Sequence, residues 1–291
     1  MTAKPATTVS EDSSPALAAP ASYDPAGGLP RGEPPGIVVD GLVKEYALES
    51  VTVRALDGVS IDVQPGEFVT VVGPSGCGKS TLLRIVAGLE EPTCGRVEVG
   101  CVAMPRRLGA SGYMPQHDML LPWRTVLDNA ILPLEYHGVP RREARRAAAA
   151  LLAAFGLHGF ESARPSALSG GMRQRVALAR TVLTGRSALL LDEPFGALDA
   201  LTRLEMQHWL LDVWARLGAT VVLVTHDLEE AVHLSDRVYV LSARPGRVAD
   251  EVAIPLPRPR PEDVVATPAF AALKGRLLAA VRAAGRGEMR P

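Results

Sequence analysis

Gly73-Pro74-Ser75-Gly76-Cys77-Gly78-Lys79-Ser80 has the spacing G-x-x-x-x-G-K-[ST]. Glycines at these places let backbone N–H groups turn inward onto phosphate oxygens, and a helix that starts at the end of the loop adds its dipole. Lys79 is then set to hold the β- and γ-phosphates of a nucleoside triphosphate. The Ser80 hydroxyl, with Thr81 following, is set to ligate Mg²⁺. Cys77 inside the loop reads as filler rather than as a redox control. A phosphate-bound Mg²⁺ calls for a carboxylate, and Asp192 ends the apolar run Leu189-Leu190-Leu191, where it could reach the metal directly or through water. Without the upstream loop, Asp192-Glu193 would read as a solvated acidic pair. Ser169, Gly170 and Gly171 form a second small-residue cluster. A polar N-cap and two glycines open a helix so that free N–H groups face outward, which again suits a phosphate. His226 follows the apolar run 220–224, a strand end where an imidazole would be a titratable hydrogen-bonding group.

These groups need strand ends and helix starts to hold them. Glu67–Val72 reads as a buried strand running straight into the glycine loop, and Ser80–Ala87 as a helix stopped by Gly88. Ile37–Val39 and Val59–Val63 read as strands, the second alternating as a half-exposed edge would. The middle of the chain changes character: Thr125–Glu135, Arg141–Phe155 and Gly170–Leu183 carry helical spacing. Arg141, Arg142, Arg145 and Arg146 form a basic stripe on the second, read as a solvated face, with anionic lipid or partner acids as the alternative. Further on, Ala188–Leu191, Thr220–Val224 and Val238–Leu241 read as strands, separated by helices at Leu201–Arg216 and Leu228–Leu234. That alternation argues for a mostly parallel sheet with helices on its faces. Pro245-Gly246 looks like a hairpin turn into Arg247–Ile254. Residues 1–35, rich in Ala, Pro, Ser and Thr without hydrophobic period, are expected to be a disordered leader. Residues 255–291 are expected to be a linker and a short helix near Phe270–Ala284, whose Lys274, Arg276 and Arg282 read as a solvated face.

The glycine loop, Leu168-Ser-Gly-Gly-Met-Arg-Gln-Arg175 and Leu189-Leu-Leu-Asp-Glu-Pro194, in this order, resemble the ATP-binding cassette (ABC) family, whose subunits drive membrane transport. The resemblance runs from about 37 to about 254. It implies an α/β fold: a P-loop NTPase (RecA-like) core with an antiparallel β edge and an inserted α-helical subdomain at about 117–180, inside a domain spanning 36–254. It also assigns roles by position. Glu193 matches the carboxylate that polarises the attacking water. Gln116, in Tyr113-Met-Pro-Gln116, matches the glutamine that contacts Mg²⁺ and that water, and His226 matches the switch histidine. Tyr46 falls where the family stacks an aromatic on adenine, with an ordinary surface or core tyrosine as the alternative. Ser169, Gly170 and Gly171 match the signature that binds the γ-phosphate held by a second subunit, and Asp199 matches the loop crossing that interface. The resemblance thus implies ATP sandwiched in a head-to-tail dimer with a second copy or a homologous subunit. The histidines at 117, 137, 158, 208 and 233 read as structural.

Composition narrows the partner. With 31 Lys+Arg against 32 Asp+Glu, the net charge of -1 gives no reason to expect nucleic acid or bulk attraction to a membrane surface. Cys77, Cys94 and Cys101 have no metal-ligand spacing and read as reduced thiols. The longest unbroken apolar run, 147–155, is far short of the roughly 20 residues that span a bilayer. A membrane role would therefore pass through an integral permease, with this chain peripheral at the cytoplasmic face. Leu120–Asn129, Leu191–Arg203 and Leu241–Arg247 together look like the nitrate/sulfonate/taurine import group, in which an extracytoplasmic solute-binding protein acts indirectly. The apolar residues Leu121, Pro122 and Trp123 lie where the family docks a coupling helix of the permease, with packing of the helical subdomain as the alternative. Glu98–Ser111 lacks the long loop of many relatives, and the tail after Ile254 is too short for the regulatory domain of sugar and methionine importers. The other readings are an importer for another small ligand, such as a thiamine precursor, and an ABC system that does not import.

Overall fold

The computed structural model describes residues 34–48, 51–100, 102–103 and 106–286. The leader expected over 1–35 lies almost entirely outside the described residues, as does Cys101. Of the leader's described residues, Pro35 accepts a bond through its carbonyl from Thr220 Oγ1 at 2.7 Å.

β1 (Ile37–Leu48) buries Ile37 and Val39 and exposes Val38, the two-residue period of a strand with one covered face. It pairs antiparallel with β2 (Val51–Val63), an edge strand with the alternation expected for 59–63. β3 (Phe68–Val72) is buried at all five positions and delivers the chain into the phosphate loop and α1 (Lys79–Val86). β4 (Cys94–Val99) and β5 (Val102–Ala103) return to β1 and complete a four-stranded antiparallel sheet in the order β2-β1-β4-β5.

β6 (Gly112–Met114) is followed by four consecutive helices with no strand between them: α2 (Val126–Ala130), α3 (Leu132–Tyr136), α4 (Arg141–Ala154) and α5 (Gly170–Val182). Alternation then resumes with β7 (Ala188–Asp192), α6 (Ala200–Leu217), β8 (Thr220–Val224), α7 (Leu228–Leu234), β9 (Arg237–Leu241) and β10 (Val248–Ala253). α8 (Pro268–Gly285) closes the described chain. The second sheet runs β10-β9-β3-β8-β7-β6, all parallel except for β10. Strands buried on both faces read as continuous apolar runs, which is why β3, β7 and β8 were legible. This is the α/β, P-loop NTPase fold that the sequence implied, with its antiparallel β edge and its helical insertion.

Three apolar clusters hold the layers. Val59, Ile61, Val71, Leu83, Leu190 and Val224 pack between the sheets and α1. The helical block closes on Leu134, Leu152 and Phe155, with Phe155 meeting Trp209 edge-on at 4.0 Å between ring centroids. Under α8, Val240, Val252, Phe270 and Leu277 form the third.

One expectation needs correction and two gain detail. The helix expected over Thr125–Glu135 is two short ones that break at Ile131, because Pro133 has no N–H to continue the ladder. The basic stripe on α4 is exposed, as expected, and two of its arginines also pair with Asp128, Arg141 at 3.0 Å and Arg145 at 2.6 Å, tying α4 to α2. The C-terminal helix is 18 residues long, starts at Pro268, and its Lys274 pairs with Glu229 of α7 at 2.6 Å.

Candidate active site

Parallel neighbours β3, β7 and β8 end side by side, and the chemistry gathers beyond their carboxyl ends, where open α/β sheets place ligands. Register enforces this. Glu193 N donates to Val224 O at 2.9 Å and Thr225 N to Val71 O at 3.4 Å, so the residues after each strand are stitched to their neighbours.

The phosphate loop turns into α1 through Gly78, at φ 105°. A side chain there would meet Leu56 Cδ2 at 2.6 Å, so glycine is required by both backbone and space. Lys79 is buried, and its Nζ donates to Gly73 O at 2.8 Å and Pro74 O at 2.9 Å, which holds the ammonium across the loop. Burial pushes the Cys77 thiol up, with Lys79 opposing, and that keeps the thiol protonated.

Asp192 is buried at the end of β7. Burial raises its carboxyl above the usual range, the Ser80 hydroxyl bonded to it works downward, and neighbouring Glu193 works upward. Its Oδ1 has no hydrogen-bond partner among the described residues. A desolvated carboxylate oxygen left unpartnered beside a hydroxyl is a hard-oxygen donor set that suits a divalent cation such as Mg²⁺.

Glu193 adopts φ 50°, unusual for a residue with a side chain. Besides the bond to Val224 O, its carbonyl accepts from Gln174 Nε2 at 2.7 Å. Gln174 Oε1 in turn accepts from Ala197 N at 2.8 Å. So held, the Glu193 carboxylate receives Gln116 Nε2 at 3.3 Å and stands 3.2 Å from His226 Nδ1. Such a carboxylate can accept a proton from water, while the imidazole and the Lys79 ammonium can face developing negative charge.

These side chains line one cleft of about 660 Å³, which Tyr46, Val53 and Ala55 of the antiparallel sheet wall on the other side. The Tyr46 hydroxyl lies 3.4 Å from Thr81 Oγ1, and the Lys44 ammonium sits 5.0 Å from the Tyr46 ring centroid. Ser75, Gly76, Gly78, Ser80 and Thr81 complete the loop side, whereas Gly73, Pro74, Cys77 and Asp192 do not line the cleft.

Ser169, Gly170, Gly171 and Asp199 do not line this cleft. Ser169 and Asp199 are exposed N-caps, of α5 through Met172 N at 3.2 Å and of α6 through Thr202 N at 3.1 Å. On one copy of the chain the cleft and the start of α5 are thus separate surfaces.

Sequence reasoning missed Gln174, although it lies inside the octapeptide already singled out. It also missed Arg244, whose guanidinium lines the cleft, and the Arg84–Glu90 pair on its rim, 3.3 Å apart. Their neighbours are set by folding, not by local spacing.

The family described as ABC transporter matches residues 56–196. An uncharacterized ABC transporter ATP-binding protein of Methanocaldococcus jannaschii is 48% identical over 76% of this chain and 83% of its own length. An aliphatic sulfonates import ATP-binding protein of Rhizobium johnstonii is 46% identical over 86% of this chain and 88% of its own. A nitrate import ATP-binding protein of Synechocystis is 45% identical over 71% and 77%. A dimeric ATP-binding cassette solved in a post-hydrolysis state with ADP and phosphate superposes with a TM-score of 0.69 at 32% identity, covering 75% of this chain and 98% of the other. The chain belongs to the ABC transporter family, as an ATP-binding subunit with the ATPase activity of that cassette.

Proposed function

We propose that this ATPase energises import of a small anionic solute of the nitrate, sulfonate or taurine kind through a separate membrane permease, from a peripheral position at the cytoplasmic face. Two copies, or one copy and a homologous subunit, sandwich two ATP molecules head to tail. The observation that carries the dimer is the separation of the two phosphate-seeking surfaces. The Lys79 loop lines the cleft, whereas Ser169, Gly170 and Gly171 open α5 outside it, available to a second copy.

In this reading Tyr46 stacks on adenine and Lys79, with the loop N–H groups, holds the phosphates. Ser80, Asp192 and Gln116 would hold Mg²⁺, which supplies charge neutralisation at the β- and γ-phosphates. Glu193 orients the attacking water and takes its proton, and His226 and Gln116 fix the Glu193 carboxylate while His226 faces the γ-phosphate. Ser169, Gly170, Gly171 and Asp199 serve the partner's nucleotide, so hydrolysis is tied to closure of the dimer.

The permease reading has its own support. Asn129 is buried and its amide grips the preceding loop: Oδ1 accepts from Leu121 N at 2.7 Å, and Nδ2 donates to Leu121 O at 3.1 Å and Thr125 O at 3.0 Å. That bracing leaves Trp123 68% exposed and Met119 64% exposed, an apolar projection suited to a partner helix. No helix among the described residues is long and apolar enough to cross a membrane. Two relatives named for sulfonate and nitrate import support the anion class.

Pull-down of tagged Glu193→Gln chain with Mg-ATP from detergent-solubilised membranes tests the reading. A multi-span permease recovered in stoichiometric amount, with uptake of sulfonate or nitrate by the reconstituted complex, is the expected result. Recovery of soluble proteins alone would overturn it.

A further inference from the structure

Arg244 sits on the loop between β9 and β10, and that loop is fastened on three sides. Gly246 N donates to Ala55 O at 2.9 Å and Asp57 N to Gly246 O at 3.0 Å, which ties it to β2. On the second side Gly246 lies so close to the phosphate loop that a Cβ there would overlap the Cys77 carbonyl oxygen. On the third, Ala243 N donates to Ala284 O of α8 at 3.2 Å. At the apex, Arg244 Nε and Nη2 both donate to Gly76 O, at 3.2 and 3.0 Å. The nearby arginines have carboxylate partners: Arg54 pairs with Glu45 and Asp57, and Arg247 with Asp57. Among the described residues, no carboxylate lies within ion-pair distance of Arg244. Arg244 and Lys79 are thus two cations held on the same phosphate loop by its carbonyl oxygens rather than by acids.

We propose that Arg244 is a nucleotide-binding residue that contacts the α,β-phosphate portion common to ATP and ADP. A guanidinium carries five N–H donors in a planar fork, and Gly76 O engages only two of them. Arg244, bonded to Gly76 O, lines the same cleft as Gly76, Tyr46, Val53 and Lys79. In the reading above Lys79 and His226 serve the γ-phosphate, so the cation at Gly76 is assigned to the phosphates that ATP and ADP share, beside the loop N–H groups. A fork suits non-bridging phosphate oxygens, and the fastened loop presents it with little ordering cost.

This inference rests on the nucleotide occupying the cleft, and calorimetric titration of the full chain with MgATP and MgADP separates the two ideas. Wild-type chain that binds neither nucleotide refutes the cleft reading itself. If it binds, Arg244→Gln is expected to weaken ATP and ADP alike, by about 10-fold, the scale of one charge-assisted contact. Arg244→Lys should retain part of the affinity. The ratio of wild-type to Arg244→Gln affinity should shrink as salt is raised, a response that a purely structural strut would not show. Melting of each variant without nucleotide reports any damage to the fold separately. Unchanged affinity in Arg244→Gln, a loss for ATP but not ADP, or a loss that salt leaves untouched would each overturn the proposal.

Discussion

His226 Nδ1 stands 3.2 Å from Glu193 Oε1, and Gln116 reaches the other oxygen of the same carboxylate at 3.3 Å. Three residues that follow three different strands therefore meet on one side chain. The backbone of Glu193 is held just as firmly, at a positive φ that costs on the order of 1–3 kcal/mol and persists only when neighbours impose it. Val224 O and Gln174 Nε2 are those neighbours.

Replacing Glu193 by Gln keeps the shape and removes the proton acceptor. Steady ATP turnover should fall by at least about 100-fold, the scale of a lost general base. Phosphate release assays check the rate, and size-exclusion chromatography with ATP should show a dimer that wild-type chain forms only transiently. Wild-type turnover in the variant would remove Glu193 from the mechanism.

Ser169→Arg tests the second surface. The long cation obstructs the open start of α5, yet Ser169 lies outside the cleft of its own copy. Nucleotide affinity of the monomer should stay within about 2-fold, under 0.5 kcal/mol, while dimer formation and hydrolysis are lost. If monomer binding collapses instead, the two-copy site is wrong.

Two glycine substitutions should have opposite signs. Gly246→Ala drives a methyl into the Cys77 carbonyl, so the phosphate loop must shift. A loss of about 1–3 kcal/mol in denaturant unfolding is expected, together with weaker nucleotide binding. Gly275 is exposed within α8, and a Cβ added there would meet nothing within 4 Å. Gly275→Ala should therefore stabilise by roughly 0.5–1 kcal/mol through helix propensity.

His233 supplies a pH dependence. Burial, with help from His208, Arg260 and Arg258, lowers its pKa to about 4 from 6.5. Between those values the unfolded chain binds the proton and the folded one does not. Its contribution is therefore present above pH 6.5 and lost as pH falls toward 4, by up to about 3 kcal/mol. Glu230, raised to about 6 chiefly by burial, acts in the opposite direction between pH 6 and 4.5. Unfolding of His233→Leu and wild type at about pH 7, 5.5 and 4.5 should show a stability difference that shifts steadily in favour of the variant as pH drops. A difference that does not move with pH would show that His233 takes up its proton equally in the folded and unfolded chain, against the lowered pKa.

What could be read without coordinates was what is local. The phosphate loop, the Asp192-Glu193 pair and the Ser169 start of α5 are contiguous, because each exploits backbone N–H groups or a strand end within a few residues. Buried parallel strands announce themselves as apolar runs for the same reason. Arg244 on Gly76, Gln174 on Glu193, and Arg260, which donates to the carbonyls of Val232, His233 and Ser235 at the end of α7, had no such signal. Asp128 turned a basic stripe into a pair of ion bridges from another helix. The sequence by itself determined the chemistry that the chain can perform and the elements that carry it, since propensity, periodicity and motif spacing act over short range. Only the tertiary structure decided which surface each group shares. A contact between residues 168 positions apart, such as Arg244 and Gly76, depends on strand order, register and packing together.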